Sequence, residues 1–131
     1  MKKILIIEDD RITGSLYRAL FQKEGWEVEV ATDGQSGFDL LIAFKPDGML
    51  LDLMLPKTSG IELLGKIRGL EEFRNLPIVA CTNAFVPRMV ENALKAGATT
   101  VFDKSSMTRF MLLEALGGGK RPAPAPANVS S

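Results

Sequence analysis

The chain has 131 residues, 46% of them apolar and 24% charged, which suits one ordinary globular domain with its own core. Lys and Arg balance Asp and Glu at 16 each, so no global basic field draws in nucleic acid directly. Histidine is absent, which excludes serine–histidine and cysteine–histidine catalysis, histidine-ligated zinc and a histidine phosphocarrier role; the single Cys81 excludes an intrachain disulfide.

The opening Met1-Lys2-Lys3 and the apolar residues after it look superficially like a signal peptide, but the apolar run stops at Glu8 and acids follow. No stretch reaches the length of a membrane span, so a cytoplasmic chain with no membrane partner is expected. Residues 3–7 read as a strand, and Ile12, Leu16 and Leu20 as the apolar stripe of a helix ending at Gly25. A second strand near 26–31 precedes a helix marked by Phe38, Leu41 and Ile42. The third, near 48–52, precedes a helix with Ile61, Leu64 and Ile67 that stops at Gly69. After a fourth strand near 77–81, Pro87 suits the first turn of a helix carrying Val90, Ala93 and Leu94 and ending at Gly97. Gly25, Gly69 and Gly97 are expected in the left-handed conformation that closes helices. A fifth strand near 99–103 leads to a last helix with Met107, Met111, Leu112 and Ala115. Five β–α units in alternation imply an α/β fold, a parallel sheet with right-handed crossovers.

The chain divides into a domain over 1–116 and a Gly/Pro/Ala-rich tail or linker over 117–131. Alternating Pro-Ala favours polyproline II and the polar end favours disorder. Two readings stay open for it: a tail without a function of its own, or the start of a linker to an output domain.

Four polar motifs close the strand-like runs: Glu8-Asp9-Asp10, Asp52, Thr82 and Lys104. Ligands of open parallel sheets bind beyond the carboxyl ends of the strands, so these groups converge. Carboxylates packed together need a compensating cation, and Mg²⁺ is satisfied by one or two of them plus waters and a phosphate oxygen. Lys104 can pair with Asp52 at rest and with a phosphoryl oxygen afterwards, and Thr82 offers one donor. A carboxylate nucleophile in such a site would form an aspartyl phosphate. Each residue alone has an ordinary explanation; Asp10, for instance, suits the N-cap of a helix beginning near Arg11. The joint pattern carries the inference.

The runs Ile4-Leu5-Ile6-Ile7-Glu8-Asp9-Asp10 and Leu51-Asp52-Leu53-Met54-Leu55-Pro56 with Gly60, then Thr82, Ala96-Gly97-Ala98 and Lys104, closely resemble the receiver domain of two-component response regulators. The resemblance covers residues 2 to about 116. It implies a flavodoxin-like (βα)5 doubly wound sheet with strand order 2-1-3-4-5. It further implies that Asp52 accepts a phosphoryl group from a histidine kinase or histidine phosphotransfer protein. Mg²⁺ would be held by Asp9, Asp52 and the Met54 backbone carbonyl, with Glu8 acting through water, and Thr82 and Lys104 would bind phosphate oxygens. Such a domain is a switch that acts on its own phosphorylation and dephosphorylation, not an enzyme with a separate substrate. Its output partner or domain would engage the fourth helix, fifth strand and fifth helix.

The sequence departs from that family in three places. Val101 stands where an aromatic is usual, Ser105 replaces the proline that normally follows the lysine, and Asn83 is larger than the usual alanine or glycine. Phe102, one place on, should face the other side of the sheet and cannot substitute for the aromatic. A muted switch is therefore expected, as Val101 is short and stiff at χ1. The competing reading is a pseudo-receiver that docks partners without phosphorylation, against which the retained acids, Thr82 and Lys104 argue. An aspartyl-nucleophile phosphatase would want a second acid two residues beyond Asp52, where Met54 stands. A flavin or nucleotide binder would want a glycine- or hydroxyl-rich first loop in place of the acidic trio. Kinase docking is expected from Gly14 and Ser15 on the first helix, with Pro56, Ser105 and Ser106. Phe21, beside the Ile12–Leu16–Leu20 stripe, has two readings, a partly exposed contact and the favoured one of an ordinary core-edge residue.

Overall fold

In the computed structural model, which describes residues 2–117, the chain order is β1 (Lys3–Ile7), α1 (Arg11–Lys23), β2 (Glu27–Ala31), α2 (Gly34–Phe44), β3 (Gly48–Asp52), α3 (Gly60–Arg68), a 3-10 turn (Glu71–Phe73), β4 (Ile78–Thr82), α4 (Pro87–Ala96), β5 (Thr100–Asp103) and α5 (Arg109–Leu116). All four strand pairings are parallel and the spatial order is β2-β1-β3-β4-β5, as expected. The central strands β3 and β4 are buried at every position, which is why they read as unbroken apolar runs.

Alternate residues of each strand supply two cores. Leu5, Ile7, Met49, Leu51, Ile78 and Ala80 face α2, α3 and α4, whereas Ile4, Ile6, Leu50, Val79 and Cys81 face α1 and α5. Val101 joins the first core and Phe102 the second, so the ring does lie across the sheet from the vacant aromatic position. Phe21 and Trp26 meet edge to face at 5.4 Å, closing the second core at the foot of α1.

Side chains cap four of the helices. Asp10, Asp33, Ser59 and Thr108 accept from backbone N–H groups of Thr13, Ser36, Ile61 with Glu62, and Met111. Pro87 opens α4, which has no side-chain cap.

The stripe expected on α1 is corrected. Ile12 and Leu16 are 74% and 65% exposed, Leu20 is half-buried, and the inward residues are Gly14 and Phe21 with Tyr17 beside them. Gly14 is the cause: a Cβ there would already sit 3.3 Å from Val30 Cγ1, so α1 lies closest to β2 along its glycine. The inward set is Tyr17, Leu20 and Phe21, a second i, i+3, i+4 pattern that stood in the sequence beside Ile12 and Leu16. Ile42 and Leu94, also expected on inward stripes, are exposed as well. Gly25 and Gly97 take positive φ as expected, but Gly69 stays right-handed at φ −71° and α3 passes directly into the following turn. Of the tail, Gly117 caps α5 with φ 68°, and 118–131 lie outside the described residues.

Two glycines of α3 make opposite predictions. A Cβ on Gly60 would come within 2.6 Å of the Leu53 Cα, where only backbone can yield, so Gly60→Ala is expected to cost about 1–3 kcal/mol. Gly65 has nothing within 4 Å, and Gly65→Ala should stabilise by about 0.5–1 kcal/mol. Urea midpoints measure both; a Gly60→Ala midpoint at or above that of Gly65→Ala would refute the tight crossing.

Candidate phosphoacceptor site

The register of the sheet builds the site. Ile7 pairs with Leu51 and Asp52 with Cys81, so Glu8, Asp52 and Thr82 emerge at neighbouring strand ends, and Lys104 follows β5. The Lys104 N–H donates to the Thr82 carbonyl at 3.0 Å, extending the β4–β5 ladder by one rung and fixing where the lysine stem departs.

Lys104 Nζ lies 3.0 Å from Asp52 Oδ2 and 2.8 Å from Glu8 Oε1. The two acids are 3% and 1% exposed, so this is a buried charge cluster. Asp52 Oδ1 accepts from the Met54 N–H at 2.9 Å, and Glu8 Oε2 from the Asp10 N–H at 3.0 Å. Burial raises the Glu8 carboxyl above its ordinary range, and Lys104 and the Asp10 N–H offset this only in part. For Lys104, burial works to lower the ammonium, but its contacts with Glu8 and Asp52 outweigh burial and push it up. The lysine is therefore held charged.

Glu8 Oε1 is buried and meets only the Lys104 ammonium, with no other donor among the described residues. Carboxylate oxygens of Glu8, Asp9 and Asp52 lie within 4.8 Å of one another, and Asp9 faces solvent. Three hard oxygen donors this close together, two of them buried, suit a divalent cation of the Mg²⁺ kind. Thr82 is fully buried, and its Oγ1 accepts from the Ala84 N–H at 2.9 Å, which leaves its hydroxyl proton free to donate.

The residues expected at the site are thus brought together: Glu8, Asp9, Asp52, Met54, Thr82 and Lys104. Asp10 caps α1 as expected, its Oδ2 accepting from the Thr13 N–H at 2.8 Å. Around the mouth, Ser15, Pro56, Ser105 and Ser106 are exposed, as docking would require. Gly14 is corrected, being buried, and Phe21 is a core residue, the favoured of its two readings, because the face of α1 that meets the sheet runs through both. Sequence reading missed Arg11 and Arg18, which with Ser15 and Thr32 line a pocket of about 180 Å³ beside Glu8. Their signal was the i, i+7 spacing on α1, which places both on one face. Cys81 is fully buried, and burial, then the charge of Asp52, pushes its thiol up to about 12. A buried, protonated thiol of this kind is inert.

One ammonium faces three acids, so charge removal should act in opposite directions. Without divalent cations, Asp9→Asn is expected to raise stability by about 0.5–1 kcal/mol by relieving repulsion. Lys104→Met strands two buried acids and should lower stability by about 3 kcal/mol. Denaturation in chelator reads both, and a Lys104→Met protein as stable as the parent would contradict the charge balance.

Comparison with known proteins agrees with this geometry. The family model for the response regulator receiver domain matches residues 4–116. The polar-differentiation response regulator DivK of Brucella anthropi is 30% identical over 112 residues, covering 84% of this chain and 90% of that protein. Chemotaxis response regulator CheY4 of Vibrio cholerae superposes with a TM-score of 0.81 at 25% identity, covering 89% of this chain and 97% of that one. The receiver domain of sensor histidine kinase PA1611 from Pseudomonas aeruginosa has a TM-score of 0.79 at 28% identity over 88% and 93% of the two chains, with a magnesium ion coordinated in its active-site cleft. Receiver domains in general work with histidine kinases or phosphotransfer proteins and with output domains. No described helix is long and apolar enough to cross a membrane. The sheet order, the buried acid–lysine cluster at its carboxyl edge and the family match over almost all the described residues make one conclusion: the chain belongs to the response regulator receiver domain family.

Proposed function

We propose that Asp52 is the phosphoacceptor of this chain and that the reaction is Mg²⁺-dependent. The observation that carries the reading is the Asp52 carboxylate at the end of β3, with one oxygen on Lys104 and acid oxygens of Glu8 and Asp9 beside it. An Asp52 oxygen attacks the phosphorus of a phosphohistidine on a histidine kinase or phosphotransfer protein. The P–O bond forms as the P–N bond breaks, and the imidazole nitrogen keeps the electron pair. Lys104 then exchanges Asp52 Oδ2 for a phosphoryl oxygen, and the Thr82 hydroxyl donates to another. Asp9, Asp52 and the Met54 carbonyl would hold Mg²⁺, with Glu8 acting through water. When bound, the ion neutralises charge that Lys104 alone cannot. Thus the chain acts as a cytoplasmic switch and catalyses only its own phosphorylation and dephosphorylation. The receiver comprises residues 1–116, and the output partner or domain engages α4, β5 and α5. The pseudo-receiver alternative is weakened by the intact acid–lysine cluster.

Acetyl phosphate with Mg²⁺ should add one phosphoryl group by intact mass, and Asp52→Asn should abolish it. Asp9→Ala should weaken Mg²⁺ binding and labelling together. Undiminished labelling in excess chelator would remove the metal from the reaction, and labelling of the Asp52→Asn chain would move the nucleophile. With a phosphohistidine protein as donor, substitution of exposed Ser15 and Ser105 should slow transfer more than it slows acetyl phosphate labelling. Equal slowing would place the docking surface elsewhere.

The switch should be muted. Val101 is half-buried in the first core and has no ring to carry inward when Thr82 moves. Ligand contacts shift an equilibrium only through a difference between its states, and here one source of difference is missing. Amide shifts on adding beryllofluoride and Mg²⁺ are expected to be small over 99–112, and large changes there would overturn this.

A further inference from the structure

α4 is held very unequally at its two ends. Of its residues only Ala93 is fully buried. At its start, Val86 makes no side-chain cap, Phe85 and Val86 are exposed, and the loop reaches the site through one bond, Ala84 N–H to Thr82 Oγ1.

The far end is different. Gly97 and Ala98 N–H groups both donate to the Ala93 carbonyl, at 3.2 and 3.0 Å, and the Thr99 N–H donates to Ile78 O at 2.8 Å. Arg68, from the end of α3, crosses to the same turn. Its Nε donates to Gly97 O at 2.8 Å, one guanidinium nitrogen donates to Phe73 O at 2.7 Å and Arg74 O at 3.2 Å, and the other donates to Thr99 Oγ1 at 3.4 Å. Thr99 Oγ1 also accepts from the Ile78 N–H at 3.0 Å. One rigid fork thus joins α3, the 3-10 turn and the α4–β5 turn. The fit leaves no slack, since a Cβ on Gly97 would lie 2.4 Å from Arg68 Cγ.

We propose that Arg68 is a pin that fixes the carboxyl end of α4, so that the helix moves as a lever about Gly97, its first turn free and its last turn held. An event that draws the Thr82 hydroxyl away from the Ala84 N–H releases the free end alone. The pin lies at the opposite edge of the sheet from Asp52, so it shapes the response without touching the chemistry. That last step rests on the phosphoacceptor reading; the unequal anchoring does not.

Hydrogen exchange on the unliganded chain tests the pin directly. Ala98 and Thr99 amides should be protected at least about tenfold more than those of Val90 and Glu91. Arg68→Met should erase most of that difference, lowering protection at 98–99 about tenfold with little change at 90–91 or in β1. Should that variant not fold, Arg68→Lys keeps the charge and stem but loses the fork, and should give the same pattern at smaller amplitude. Equal protection at both ends of the parent helix overturns the pin, as does a variant that lowers both ends alike. A second arm adds beryllofluoride with Mg²⁺: shifts should cover 83–90 and spare 93–99 in the parent, and spread to 93–99 in Arg68→Met. Parent shifts as large at 93–99 as at 83–90 also overturn it. No shift around Asp52 would count against the phosphoacceptor reading, while the exchange pattern still decides the pin.

Discussion

Lys104 holds its ammonium against two acids that are both out of water, and the geometry of the carboxyl edge follows from that contact. Buried carboxylates at 3% and 1% exposure repel each other unless a cation stands between them. Two backbone donors, from Met54 and Asp10, take the remaining directions of Asp52 and Glu8 and fix how the loops after β3 and β1 leave the sheet. The lysine itself is aimed by its own backbone bond to Thr82 O. A local charge requirement and the ladder of the sheet therefore reinforce each other. Asp9, the exposed member of the three acids, is the one most open to an incoming cation.

This arrangement divides the molecule into a rigid part and a responsive part. β3 and β4 are buried throughout and supply Asp52 and Thr82 from fixed positions. β5 is half-buried along its whole length, and α4 contributes a single fully buried residue, so the region beyond Thr82 has less packing to hold it. Strand position alone therefore holds the ends of β3 and β4 firmly and leaves the region after Thr82 more loosely packed.

Much of this was legible in the sequence because it rests on short-range patterns. Apolar runs ending in Asp52 or Thr82, alternating with helical patterns, read as strands of a parallel sheet with their polar ends at one edge, whereas the strand order came from the family resemblance. Legibility failed where packing is decided by what a residue lacks. On α1 two apolar sets compete, and only the close approach at Gly14 shows that Tyr17, Leu20 and Phe21 turn to the core while Ile12 and Leu16 face solvent. Gly69 looked like a helix terminator, yet it stays right-handed because the chain runs on into the turn that Arg68 braces. The fork of Arg68 was invisible for another reason: its partners are backbone carbonyls, which every residue carries. The acid–lysine cluster lay between these cases, with its members readable and the pairing of one ammonium with both buried acids evident only in three dimensions.

The burial of Cys81 has a practical consequence. It is the chain's only cysteine, it lies fully inside the central strand β4, and its thiol is held protonated by its surroundings. An alkylating reagent can reach it only when the centre of the sheet separates, so the rate of its modification clocks the opening of the molecule. The same protection leaves the native protein effectively thiol-free. A cysteine placed on α1 or α4 would then carry a spectroscopic label at one known position, with no background from the chain itself.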